Sequence, residues 1–207
     1  MVATVAELLA DYRPQGWRER RDLARIRRLT ETEPDPWLRS TPLHLTASAL
    51  VVHPDSRQTL LRWHLRQQAW LQVGGHADPG ELDPVAIATR EAAEETGLAD
   101  LAPWPDASVW HVVIVPVPAG RGEPAHQHAD IRFVLATWSP GAVSSESADA
   151  PLRWLSFSEA MQLTSEANLR ESLTRLARRL PDHPRRTRPA PGTASSASAG
   201  EGTGRPA

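Results

Sequence analysis

The sequence predicts an α/β (α+β) fold, a sandwich with helices on both sides of a mixed sheet, and three observations carry that expectation. Segment 43–52 alternates enough to be a strand, and 109–117 and 131–138 are short runs with β-branched residues, patterns of buried or half-buried strands. A helical stretch of mostly Ala and Glu lies between them at 84–96. A second helix follows the last strand, with Leu169, Leu173, Leu176 and Leu180 along one side, the 3.6-residue stripe of a helix packed on a core.

In chain order, residues 2–40 read as helical. Val5, Leu8, Leu9 and Tyr12 form one apolar stripe, Leu23, Ile26 and Leu29 another, and Pro34 and Pro36 end the zone. Seven arginines fall between Arg13 and Arg28, a candidate basic face for nucleic acid, but Glu19, Asp22 and Glu31 dilute it. A solvated helix face is the favoured reading. The core opens with a strand at 43–52, a Pro54-Asp55-Ser56 turn and a second strand at 58–65. A short strand at 70–73 leads straight into Gly74-Gly75. Strands follow at 109–117, 131–138 and 151–155. Ser158 is expected to cap a short helix with Glu159 just inside it, and the last helix runs over 168–180 until Pro181 stops it. Beyond it Pro, Ser, Ala, Gly and Thr dominate without apolar periodicity, the signature of a disordered tail. The expected organisation is a helical extension (1–40), a core domain (41–180) and a disordered tail (181–207).

At 207 residues the chain is one domain with extensions. A core of about 140–150 residues buries roughly two thirds of its unfolded surface, enough to fold without staples. Zero cysteine excludes disulfides, thiolate zinc sites and cysteine nucleophiles, and fits a cytoplasmic location. The net charge of −2 gives no global argument for nucleic acid or membrane. All 23 basic residues are arginine, which reads as coding bias. No signal peptide is expected from the N-terminal pattern, and no apolar run approaches a membrane span.

The chemistry concentrates in Gly74-Gly75-His76-Ala77-Asp78-Pro79-Gly80-Glu81 and, eight residues later, Arg90-Glu91-Ala92-Ala93-Glu94-Glu95-Thr96-Gly97-Leu98. Asp83 is a favoured N-cap, Pro84 suits the first helical position, and Gly97 can take the left-handed conformation that ends a helix. Glu91 and Glu95 are one turn apart with Glu94 beside them, Cβ atoms about 5–6 Å from each other. Like charges at that spacing destabilise an exposed helix by roughly 0.2–0.5 kcal/mol per pair, and by more in a cleft of low dielectric. A hard divalent cation reverses the sign. Oxygen-only ligands and the lack of cysteine point to Mg²⁺ or Mn²⁺. The alternative is a solvated helix whose acids pair with Arg90.

These residues resemble the Nudix box, the motif of pyrophosphohydrolases that cleave a nucleoside diphosphate linked to another moiety. Gly75, Glu81, Arg90, Glu91, Ala92, Glu94, Glu95, Gly97 and Leu98 fit it. The resemblance implies a Nudix-type α/β/α sandwich acting on a small-molecule nucleotide or other diphosphate; no membrane partner is expected, since the chain has neither a long apolar run nor a strong net charge. It implies that Glu91, Glu94 and Glu95 hold the metal, with a backbone carbonyl from Gly74. Arg90 would orient the glutamates, Glu91 would be the base that deprotonates water, and Glu81 would support a metal or its water. One departure stands out. Eight residues, where the family pattern has seven, separate Glu81 from Arg90, so counting seven back lands on Leu82, between Glu81 and Asp83.

A second constellation is His126-Gln127-His128-Ala129-Asp130, with Arg132 on the same parity. On a strand these alternate residues share one face. Three readings stay open: exposed polar residues at a strand end, substrate contacts in which Arg132 grips a phosphate, or a second metal. Relatives with this sub-pattern carry a similar His-x-His-x-Asp run, which the resemblance places at the cleft. His76 faces either the diphosphate or the loop surface. Glu123 and Glu146 are equal candidates for a further carboxylate. Trp63, Trp70 and Trp110 can stack a base, although core packing is the commoner use. Substrate choice is expected in the loops 119–129 and 139–150. Three rivals to hydrolysis are a non-catalytic nucleotide-binding or regulatory module, prenyl diphosphate isomerisation, and nucleic-acid binding through the N-terminal arginines. The intact glutamate set disfavours the first, and relatives with the second chemistry use a cysteine this chain lacks.

Overall fold

The computed structural model describes residues 4–120 and 122–180; the expected tail lies outside them. Two helices, α1 (Val5–Ala10) and α2 (Gly16–Thr32), precede strand β1 (Leu43–His53). Then come β2 (Gln58–His64), β3 (Ala69–Leu71), β4 (Val73–Gly75), α3 (Pro84–Thr96), β5 (Ala102–Pro103), β6 (His111–Val117), β7 (His126–Ala136), β8 (Leu152–Ser156), α4 (Phe157–Leu163) and α5 (Ala167–Arg179).

The sheet is mixed. β1 and β7 run parallel, from Leu43 opposite Gln127 to Val52 opposite Ala136. Every other pairing is antiparallel: β1 with β2 and β4, β2 with β3 and β8, β7 with β5 and β6. Strand alternation divides β1 between two cores. Leu45, Ala47, Ala49 and Val51 pack with Leu23 and Ile26 of α2 and with Ile87, Ala88 and Ala92 of α3. Leu50 and Val52 pack on the opposite face with Phe157, Leu169, Leu173 and Leu176 of α4 and α5. Helices therefore cover both faces, as the sequence predicts.

α3 has the expected ends. The Asp83 carboxylate accepts from the backbone N–H of Val85 and Ala86, Pro84 opens the first turn, and Gly97 terminates it at φ 68°. Elsewhere the expectations need correction. The 70–73 strand breaks at Gln72, so β3 pairs with β2 and β4 with β1. β7 starts at His126, five residues earlier than the expected strand, because β1 offers a parallel partner from Leu43 onward; the 119–129 loop is accordingly shorter. The cap of α4 is Ser156, whose hydroxyl accepts from Glu159 N–H while the Glu159 carboxylate accepts from Ser156 N–H. That reciprocal pair needs the acid three positions after the cap, which Ser158, directly before Glu159, cannot provide.

The N-terminal helices share the first core, with Val5, Leu9, Leu23, Ile26 and Leu29 all buried in it. Glu19 and Asp22 are not part of a solvated face: both are buried. The Asp22 carboxylate accepts from the Ile114 N–H of β6 at 3.1 Å, satisfying a donor on the outer side of a strand bonded only to β7. Glu19 receives a two-pronged pair from Arg175 of α5 at 3.0 and 2.9 Å, and also accepts from the Tyr12 hydroxyl. Arg18, Arg20, Arg25 and Arg28 lie on the exposed side.

Candidate active site

Two glycines let the chain pass beneath α3. Gly74 adopts φ +136°, and a Cβ there would stand 2.4 Å from Cα of Ser48 on the adjacent strand. At Gly75 a Cβ would stand 2.4 Å from Oε2 of Glu91. Only glycine lets the strand approach the helix that carries the acids.

Arg90 gathers the carboxylates. Its Nε donates to Oε1 of Glu81 at 3.0 Å and its Nη2 to Oε2 of Glu81 at 2.8 Å. Nη1 donates to Glu91 Oε1 at 2.9 Å and to Glu94 Oε2 at 3.0 Å, while Nη2 also reaches the His76 carbonyl at 2.9 Å. The long loop before α3 therefore delivers Glu81. Leu82, where the family spacing would put the acid, is 66% exposed, and Asp83 is engaged as the cap. Hydrogen bonds from Arg90 hold the Glu81 carboxyl below its ordinary range.

Glu95 sits deeper. Its Oε2 accepts from Gly74 N–H at 3.0 Å and its Oε1 pairs with Arg62 at 3.1 Å. Burial pushes its pKa up to about 7, against the pull of Arg62 and the Gly74 N–H. Burial also raises Glu91, and Arg90 offsets part of that. Two half-buried carboxylates whose charged forms are under-compensated are a place where a cation is favourable. The donors are hard oxygens, and Arg90 takes only one oxygen each of Glu91 and Glu94. The set fits Mg²⁺ or Mn²⁺. Arg62 also reaches Glu146 at 3.4 Å, whereas Glu123 pairs with Arg66 at 2.6 Å. Glu146 is thereby linked to the glutamate cluster, and Glu123 belongs to the wall that carries the histidines.

β7 does place His126, His128, Asp130 and Arg132 at alternate positions. His128, Asp130 and Arg132 line a cavity of 170 Å³ with His76, Gly74, Gly75, Gln72 and Asn168. Asp130 is buried and fully engaged by protein donors: Thr46 at 3.1 Å, Ser48 at 2.9 Å, Gln72 at 3.3 Å and Arg132 Nε at 2.8 Å. Its role in the geometry is to hold Arg132. Oδ1 of Asn168 and Oε1 of Gln72, which line the same cavity, are buried acceptors without a hydrogen-bond donor. The histidines are half-buried or buried, not exposed, and burial lowers His76 to about 3 and His128 to about 4.

Several site residues escaped the sequence reading. His44 of β1 lies opposite His128 and joins its cluster; the polar alternation His44, Thr46, Ser48 in an apolar strand is its signal. Arg62 and Arg66 carried no recognisable pattern. Trp63 and Trp70 pack edge to face at 5.7 Å, with Arg153 over Trp70 at 4.8 Å. Trp110 donates to the Ser172 carbonyl at 3.4 Å and packs on the second core. None of the three lines the cavity beside Arg132.

Among the described residues no helix is long and apolar enough to cross a membrane. No curated protein matches the sequence significantly. Among solved structures, the chain is similar to the E. coli dihydroneopterin triphosphate pyrophosphohydrolase, at 17% identity and a TM-score of 0.50 over 68% of this chain and 97% of that one. It is also similar to a C. elegans Ap4A hydrolase in a binary complex, at 18% identity and a TM-score of 0.52 over 66% of this chain and 96% of that one. At such identities these likenesses establish the fold. The family model of the NUDIX domain matches residues 42–176, which takes in the glycine turn, α3 and the histidine strand, and the chain belongs to the Nudix hydrolase family.

Proposed function

We propose that the protein hydrolyses a pyrophosphate bond in a nucleoside diphosphate derivative, by divalent-metal-dependent attack of water on phosphorus. The observation that carries this reading is the convergence of Glu81, Glu91 and Glu94 on one guanidinium, Arg90, beside a glycine turn with no room for a side chain. Mg²⁺ or Mn²⁺, held by Glu91, Glu94 and Glu95 with the Gly74 carbonyl, would neutralise the diphosphate and acidify a water. Glu91, half-buried and with a raised pKa, accepts the proton of the attacking water. Arg90 fixes the Glu91 carboxylate in place, and Glu81 fixes Arg90. The new P–O bond forms as the anhydride P–O bond breaks, and the departing phosphate takes the electron pair.

On the substrate side, Arg132 offers a guanidinium positioned by Asp130, and His76, His126 and His128 form the adjoining wall. The cysteine-free composition suits a reducing cytoplasm as its setting.

The test is a panel of nucleoside triphosphates, sugar nucleotides, dinucleoside polyphosphates, ADP-ribose and NADH, each with Mg²⁺ and with EDTA. Release of phosphate or nucleotide from one class, abolished by EDTA, is the expected outcome. Saturable nucleotide binding with no turnover on any member would instead mark a regulatory module.

A further inference from the structure

Four imidazoles meet beside the carboxylate cluster without belonging to it. We propose that His44, His76 and His128, with His126 within reach as a fourth ligand, form a binding site for a transition-metal ion of the Zn²⁺ class. The inference stands on the histidine geometry and is independent of the hydrolytic reading.

Ligand atoms of His44, His76 and His128 all lie within 4.8 Å of one another. Nε2 of His44 is 3.1 Å from Nε2 of His76, and Nε2 of His126 is 3.1 Å from Nε2 of His128. Tetrahedral zinc with bonds of 2.0–2.1 Å sets its nitrogen ligands about 3.4 Å apart. The cluster is thus close to ligating dimensions already, and side-chain rotation closes the remainder.

The outer partners favour the same chemistry. Nδ1 of His44 lies 2.9 Å from the Thr41 carbonyl, and Nδ1 of His126 lies 2.9 Å from the Pro124 carbonyl. A carbonyl only accepts, so both Nδ1 atoms carry the proton and both Nε2 atoms turn toward the cluster. Backbone carbonyls orient zinc-bound imidazoles in this way. Two Nε2 atoms 3.1 Å apart cannot both be protonated, so each pair holds a lone pair for a metal. The scaffold is rigid: His44 and His128 are opposite one another in the parallel β1–β7 register, and His76 directly follows β4.

Ligand type separates this site from its neighbour. Imidazole suits Zn²⁺, Ni²⁺, Co²⁺ and Cu²⁺, while Mg²⁺ prefers oxygen. The nearby acids are committed elsewhere, Asp130 to its four donors and Glu123 to Arg66. His76 and His128 line both the cavity beside Arg132 and the 660 Å³ cleft next to it, so an ion held here faces the space in which a substrate would lie.

The test uses the untagged full-length protein, stripped with EDTA and dialysed against Zn²⁺ in excess Mg²⁺, with bound zinc measured by mass spectrometry. One zinc per chain is expected. Substituting Co²⁺ should give visible absorption bands of a four-coordinate nitrogen site. His44→Ala and His128→Ala should each weaken zinc retention at least tenfold, and Glu94→Gln with Glu95→Gln should change it less than twofold. Failure of the unmodified protein to retain zinc, or retention abolished by the glutamate changes and kept by the histidine changes, overturns the proposal. The cobalt spectrum and the glutamate variant decide the matter even if a histidine variant does not fold.

Discussion

Arg90 presents a planar fork to three carboxylates and a carbonyl, a pattern that lysine, with a single point of charge, cannot reproduce. Arg90→Lys should therefore lower turnover tenfold or more with little change in melting temperature. The two neighbouring glycines make a sharper pair. At Gly75 an added Cβ meets the mobile end of Glu91, so Gly75→Ala should move that carboxylate and cut turnover while stability shifts by less than about 1 kcal/mol. At Gly74 the same Cβ meets the backbone of Ser48 from a strained φ. Gly74→Ala should cost about 2 kcal/mol or more, read in a denaturant titration. Equal effects from the two substitutions would contradict the placement of Glu91 against the turn.

The helix that bears the acids was legible because its instructions are local. Asp83, Pro84 and Gly97 act within one turn of their own positions, and loss of the cap in Asp83→Ala should cost about 1 kcal/mol in a thermal melt. The cap of α4 is encoded just as locally, since Ser156 and Glu159 have the spacing of a capping box, but a second serine at Ser158 offers a competing cap beside the same acid. The extra residue before Arg90 left Glu81 ambiguous in the sequence; the loop resolves it by turning Leu82 to solvent and letting Glu81 fold back onto Arg90. The histidine cluster was half-legible. Alternation on β7 gave His126 and His128, but His44 reaches them only through the β1–β7 register, 84 residues away at the His44–His128 pair. Arg62 likewise meets Glu95 and Glu146 only once β2 is in place. Register between distant strands is a property of the assembled sheet, and spacing along the chain does not encode it.

At the scale of the whole molecule, the N-terminal helices are part of the structure that supports the site. Glu19 is 4% exposed and bridges Arg175 of α5, so Glu19→Ala, which leaves that guanidinium only its half-exposed partner Glu171, should lower stability by about 2–3 kcal/mol. His111 lies in the same region, facing Arg132 of β7, Arg175 of α5 and Glu19 of α2; burial lowers it from 6.5 to about 2, aided by the two arginines. The unfolded chain takes up this proton below about pH 6.5 and the folded chain does not. His111 stabilisation is therefore complete above that pH and is lost on acidification, by at most about 1.4 kcal/mol per pH unit. His111→Gln should flatten the fall in stability between pH 6.5 and pH 4. Metal-dependent hydrolysis requires the α3 carboxylates to act as one cation site. Titration of the protein with Mn²⁺, followed by electron paramagnetic resonance, tests this most directly. Bound Mn²⁺ in the unmodified protein, weakened at least tenfold by Glu94→Gln with Glu95→Gln at unchanged melting temperature, is the expected result; equal Mn²⁺ binding by the two proteins would contradict it.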